Sequence, residues 1–202
     1  MTNRRLLLQL PLALGCLFAL GSPAGAADAV NPPAKPAMTL SLGGTTYLHR
    51  WSKDDQHEFT PQRDPDLKTW RDMVTVNVHP LATTPEKTAG IANKMLANYK
   101  AANAKVLKTN SRPATVDRPA EHLVVAIFTD PQFKYLEAAF ARVMFIDGAG
   151  VIAVYSHREY GFPPGPLMTK WLEDEGATAE RALMAWTGIP KAAALKKLPT
   201  SP

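Results

Sequence analysis

Apolar and polar side chains alternate from Val74 to His79, with Val74, Val76 and Val78 in one phase and Thr75, Asn77 and His79 in the other. A period of two predicts a half-buried strand, and Pro80 stops it. Tyr47–Trp51 reads as an earlier strand, Lys53–Gln56 as the turn after it, and His57–Thr60 as its hairpin partner, ended by Pro61. Pro65–Arg71 reads as one short helical turn.

The period then changes. Thr83-Thr84-Pro85-Glu86 carries a threonine cap, a proline at the first helical position and an early glutamate facing the positive end of the dipole. Ile91, Met95, Leu96 and Tyr99 follow as one helical stripe running down to about Asn103. Lys105–Thr109 predicts a short strand, and the prolines of 112–119 mark a loop. Leu123–Thr129 is almost wholly apolar and β-branched, as in a central strand. Phe140–Ile146 and Val151–Tyr160 flank the tight turn Asp147-Gly148-Ala149-Gly150. Pro166–Thr187 predicts a helix with Leu167, Trp171, Ala179, Leu183 and Trp186 near one face and Gly176 interrupting it.

Strands joined by short turns and punctuated by two helices predict an α+β fold. The expectation is a single antiparallel β-sheet with helices packed on one face, a two-layer sandwich. Over residues 40–187 this order of elements resembles the PsbP/Mog1-like sandwich. No shared motif accompanies the resemblance, so it implies an architecture and transfers neither function nor site residues.

The N-terminus changes the picture of compartment. Arg4 and Arg5 precede the mostly apolar Leu6–Leu20, and Ala24-Gly25-Ala26 offers small residues for cleavage before Ala27. An apolar run of about 15 residues is short for a bilayer span, which needs roughly 20. Residues 1–26 therefore read as a signal peptide for a periplasmic or secreted protein, with no membrane span left after its removal. Two other readings stand beside ordinary export: a lipid-modified Cys16 after Gly15, and a twin-arginine signal at Asn3–Leu8. Residues 27–38 hold three prolines and read as a linker. A single domain is expected over 39–188, followed by a flexible tail at 189–202 that carries three lysines.

Cleavage after residue 26 would leave 176 of the 202 residues and remove Cys16, the one cysteine. A cysteine-free mature chain excludes thiol nucleophiles and cysteine-based metal sites. The formal charge of +5 falls to +3, because the segment carries two of the 23 basic residues and none of the 18 acidic ones. That charge, with no dense Lys/Arg stripe, does not point to nucleic acid.

Candidate chemistry is sparse. Gly-x-Ser-x-Gly, His-Glu-x-x-His, a phosphate-cradling loop and a calcium loop are all missing from the sequence, so no cofactor is expected and no catalytic residue is assigned. His49, His57, His79, His122 and His157 lie at spacings that form no local metal clip, so no metal ligands are assigned. The acidic run Asp54–Glu58 reads as a solvated hairpin loop whose oxygens could hold calcium weakly. Tyr47, His49 and Trp51 share a strand face in the pattern and read as core, with a protein-contact patch as the other reading.

The last hairpin carries the one constellation. With Gly148 and Ala149 as turn residues, Arg142 faces Tyr155 and Phe140 faces His157. Arg142, Tyr155, His157 and Glu159 then share a face, and Ala141, Val143, Phe145, Ile152 and Val154 form an apolar face for the helices. An arginine between Phe140 and Met144 must be paired or wet. The expectation is an accessible face that uses these four residues to bind a small anionic ligand or a protein partner. The function expected is thus an exported, non-enzymatic binding or accessory module, against the alternative of a hydrolase built on a histidine and a carboxylate or on scattered histidines.

Overall fold

The computed structural model describes residues 38–201. The expected signal peptide, Cys16 and the expected linker up to residue 37 lie outside the described residues. The alternating valines belong to β4 (Asp72–His79), the fourth of eight strands. Before it come β1 (Thr39–Leu42), β2 (Thr45–Lys53) and β3 (Gln56–Pro61). After α1 (Pro85–Ala101) come β5 (Lys105–Arg112), β6 (Glu121–Thr129), β7 (Tyr135–Ile146) and β8 (Ala149–Tyr160). The eight strands form one antiparallel sheet in the order β1-β2-β3-β4-β8-β7-β6-β5, so the fold is α+β. Two four-strand meanders meet where β4 pairs with β8.

That junction explains the path of α1. The chain leaves β4 in mid-sheet and must reach β5 at the far edge, so α1 crosses β8, β7 and β6 on the way. Thr84 caps its N-terminus through a bond from the Lys87 amide to the threonine hydroxyl. At Gly150 the helix entry comes so close that an added Cβ would meet the Ala82 Cβ at 2.9 Å and the Ile91 side chain at 3.0 Å. Only glycine fits there.

The helices divide between both faces of the sheet, which corrects the expectation of a single covered face. On the back face, α1 buries Met95, Ala92 and Tyr99, and Ala141, Val143, Ile152 and Val154 are buried on that side of the strands. The front face carries Phe140, Met144, Val151 and Ala153, which form a core with Met168, Leu183 and Trp186 of the C-terminal region. There α2 (Pro164–Trp171) runs through a π-helical turn, Leu172–Gly176, into α3 (Ala177–Ala185). The near-continuous apolar run of β6 fits this arrangement, because a strand buried on both sides has no polar phase.

Two other expectations change. The segment expected as a flexible tail, 189–202, contains α4 (Ala192–Leu195), and Leu195 and Leu198 belong to the front core. The last hairpin turns at Asp147-Gly148, both at positive φ, rather than at Gly148-Ala149. An Asp-Gly pair suits a type I′ turn, whose central residues both need that conformation. Pairing therefore shifts by two residues: Phe140 faces Tyr155, Arg142 faces Ala153 and Ala138 faces His157. A shift of two keeps every side chain on its expected face.

Candidate functional site

Arg142, Tyr155, His157 and Glu159 all lie on the front face, but they belong to two separate charge clusters. The first forms around Asp72, which opens β4 directly across from His157. The Asp72 carboxylate accepts bonds from the Tyr155 hydroxyl at 2.7 Å and from His157 Nδ1 at 2.9 Å on one oxygen, and from Arg63 on the other. The backbone N–H of Asp72 donates to Asp64. Glu159 lies 3.2 Å from His157 Nε2 and pairs with Arg71 at 3.1 Å. Above the imidazole lies Trp171, stacked at 4.0 Å and 5°.

A ring protonated on both nitrogens donates to both carboxylates, whereas a neutral tautomer donates to one. Burial opposes the charge on Asp72, but the bonds from His157, Tyr155 and Arg63 outweigh it and hold the carboxyl below its ordinary range. Tyr155 is pushed far up by burial and by the Asp72 charge its hydroxyl faces, so it stays a neutral donor. Asp72 and His157 are 7% and 6% exposed, so the centre of this cluster is closed, while Arg63 and Arg71 reach the surface.

Arg142 sits in the second cluster, and it is buried rather than wet. One guanidinium nitrogen donates to the carbonyls of Leu183 and Trp186, at 2.9 and 2.8 Å, where α3 ends. The other donates to Glu121 at 2.8 Å. The arginine thus bonds a helix C-terminus and a carboxylate on β6, which offsets most of the cost of burying it and leaves only Nε without a partner among the described residues. The second Glu121 oxygen faces Arg112 at 3.4 Å and Arg118 at 3.6 Å. One carboxylate serves three guanidinium groups.

Beside this cluster opens a cleft of about 590 Å³ between β5, β6 and α3. Leu123, Pro113, Met184 and Ala185 give it apolar walls, and Arg112, Arg181 and Glu180 give it charged ones. Glu180 is already held by Lys108 at 2.7 Å. Four cations (Arg112, Arg118, Arg142 and Lys108) thus pair with two carboxylates, Glu121 and Glu180, and Arg181, whose guanidinium donates to Thr178, lines the cleft as a fifth. The excess charge is positive, and part of it lies at the surface.

Sequence reading named Arg142 without its partner and His157 without Asp72. Both missed carboxylates left a trace. Asp72 has the phase of Val74, Val76 and Val78, and Glu121 has the phase of Leu123 and Val125. Each is an acid on an apolar face, and such an acid demands a cation. Elsewhere, Trp51 pairs with Glu58 because a bulge after His49 shifts the register, so Trp51 leaves the face that Tyr47 and His49 share. Asp54 and Asp55 are the turn residues of that hairpin, at positive φ. A third charge pair, Arg158 with Glu137 at 2.8 Å, is closed between the rings of Trp70 and Tyr135. Among the described residues, no three His, Cys, Asp or Glu side chains group as metal ligands, and no helix is long and apolar enough to cross a membrane.

No protein family's sequence profile matches the chain, and curated proteins give no match by sequence. Among solved structures the chain is similar to the Ran-binding protein Mog1p of Saccharomyces cerevisiae, at a TM-score of 0.38 and 10% identity over 71% of this chain and 83% of that one. It is similar also to human STARD10, at a TM-score of 0.31 and 10% identity over 75% and 73%. These are likenesses of overall strand-and-helix arrangement, and no residue or activity is taken from either protein.

Proposed function

We propose that the chain is an exported, non-enzymatic binding module that takes a small anion, free or displayed by a protein partner, in the cleft between β5, β6 and α3. The observation that carries this reading is the excess of guanidinium groups around Glu121 next to an apolar-walled cleft. Arg112 and Arg181 are the groups that would meet the anion, since guanidinium pairs bidentately with carboxylate or phosphate. Arg142 then acts from below by fixing Glu121, which in turn orients Arg112. Tyr155, His157 and Glu159, expected on the same binding face, support the scaffold from the Asp72 cluster instead.

The alternative, a hydrolase, rests on the histidine flanked by two carboxylates. His157 would have to release Asp72 or Glu159 to act as a base, beneath the indole that covers it. The binding reading asks for no such rearrangement.

Backbone amide chemical shifts during titration with inorganic phosphate, succinate and decanoate test the site. Saturable shifts at residues 110–113 and 180–185 that vanish in Arg112→Ala/Arg181→Ala support it, and shifts elsewhere or none with any probe overturn it. Ester hydrolysis that disappears in His157→Gln would favour the hydrolase. Export rests on residues 4–26. It predicts that protein recovered outside the cytoplasm of an expressing bacterium begins at Ala27.

A further inference from the structure

A serine hydroxyl bridging two imidazoles lies where the C-terminal segment meets the sheet. Ser52 Oγ is 2.7 Å from His49 Nε2 and 2.8 Å from His57 Nδ1. The same residue holds the end of the chain: the Ser201 amide donates to the Ser52 carbonyl at 2.7 Å, and the Ser52 amide donates to the Ser201 hydroxyl at 3.2 Å. Ser52 and His57 are buried, and His57 Nε2 is enclosed without a hydrogen-bond partner.

These facts select protonation states. A hydroxyl has one proton, so it donates to one ring and accepts from the other. A proton on His57 Nε2 would be a buried N–H with nothing to bond, so the favoured neutral ring carries its proton on Nδ1 and donates to Ser52. Ser52 then donates to His49 Nε2. Adding a proton to His57 creates the unbonded buried N–H, and adding one to His49 removes the acceptor of the serine proton. Two charged rings would also face each other across one oxygen.

We propose that the His49–Ser52–His57 bridge is an acid-sensitive latch for the C-terminal strap, Leu198–Ser201, which it holds closed at neutral pH and releases as the rings protonate. It is independent of the anion cleft. Burial lowers the proton affinity of both rings, partly offset at His49 by a bond to the Trp51 backbone, and His49 lowers that of His57 further. Asp55, in the β2–β3 turn, is the carboxylate whose field opposes the shift at His57. The neighbouring charged groups are otherwise engaged or turned away: Arg50 bonds to Thr60 and Pro61, Glu58 bonds to Gln56, and Lys53, Lys196 and Lys197 are exposed. The β4 and β8 residues in register with His57 are Val76 and Ala153, which carry no charge. Because the folded values lie below the ordinary one near 6.5, the latch is intact above about pH 6.5 and weakens as pH falls through the folded values.

Hydrogen exchange of the Ser201 amide in the full chain, corrected for intrinsic rate, is the test. Protection should be lost progressively between about pH 7.5 and 5, the direction that the lowered folded values dictate. His49→Gln/His57→Asn keeps an acceptor and a donor at the right positions but cannot titrate, so its protection should not change with pH. A pH-independent wild type, or an equal fall in the double variant, overturns the latch. Should that variant fail to fold, the wild-type His49 and His57 ring signals decide: their midpoints must coincide with the loss of Ser201 protection, and separate midpoints overturn it.

Discussion

The two charge clusters on the front face solve the same problem in opposite ways. Around Asp72, acids and bases are matched in number: Asp64, Asp72 and Glu159 meet Arg63, Arg71 and His157, whose ring stacks on Trp171. Around Glu121 they are not matched, since three arginines share one carboxylate and a cleft lies alongside. The matched cluster holds the β4–β8 junction of the two meanders. The unmatched one holds the C-terminus of α3 and leaves positive charge at the surface. Buried charge by itself does not mark a site; what distinguishes the second cluster is an excess of one sign with an opening beside it.

The comparison breaks hardest at Arg142. Replacing it with methionine keeps bulk but leaves Glu121 buried beside two longer contacts, and removes one bond from each of two carbonyls at the α3 terminus, of which Leu183 keeps the bond from the Trp186 amide. The expected loss is about 3–5 kcal/mol in urea unfolding. Arg142→Met/Glu121→Met should recover part of that loss, because it removes the stranded charge. A single variant within about 0.5 kcal/mol of wild type would show that Arg142 is not the clamp described.

Asp72→Asn tests the matched cluster. It keeps the shape but weakens the bonds from His157, Tyr155 and Arg63, with an expected loss of about 2–3 kcal/mol at pH 7. The pH dependence is the sharper readout. The native carboxyl lies below its ordinary value, so the unfolded chain takes up the proton first as pH falls. The contribution is full above about pH 3.9 and is lost as pH falls through the folded value. The gap between wild type and Asp72→Asn should therefore shrink below about pH 4; a gap that widens there contradicts the assignment.

Trp171→Leu removes the indole stacked on His157 and part of the cover over the Asp72 cluster. The expected loss is about 1–2 kcal/mol, combining the ring contact with lost apolar area. Calorimetry should show the same loss in an Asp72→Asn background if stacking and ion pairing are independent, and a smaller one if the indole acts by holding the imidazole in place.

Much of this was legible in the chain. The element order, the Thr84 cap and the two faces of the last hairpin follow from period and turn chemistry, and they survive a register displaced by two because the pleat repeats every two residues. The second helical layer was written in Leu123–Thr129, whose lack of a polar phase requires cover on both sides. The pairings were not legible. Asp72 and His157 are 85 residues apart, Glu121 and Arg142 are 21 apart, and only the strand order brings each pair together. The buried C-terminal segment was hidden by composition, because three lysines among alanines obscure the two leucines, Leu195 and Leu198, that enter the core.

The smallest stability effect separates the two clusters most cleanly. Arg112 and Arg63 are both exposed arginines that pair with a buried carboxylate, on side chains 42% and 62% exposed. Replacing either with alanine should cost no more than about 1 kcal/mol, since exposed ion pairs contribute little. Their effects on anion binding should differ. Arg112 lines the cleft where positive charge is in excess, so Arg112→Ala should weaken phosphate or succinate binding about tenfold or more, the size of one charge-assisted hydrogen bond. Arg63 belongs to the matched cluster, and Arg63→Ala should leave that affinity within about twofold, because a charge already matched locally contributes little at a distance in salt. Titration calorimetry at 0.15 M salt decides between the clusters. Equal losses in both variants would mean that the anion senses only the overall charge of the domain, and the contrast between a matched cluster and an unmatched one would then have no functional content.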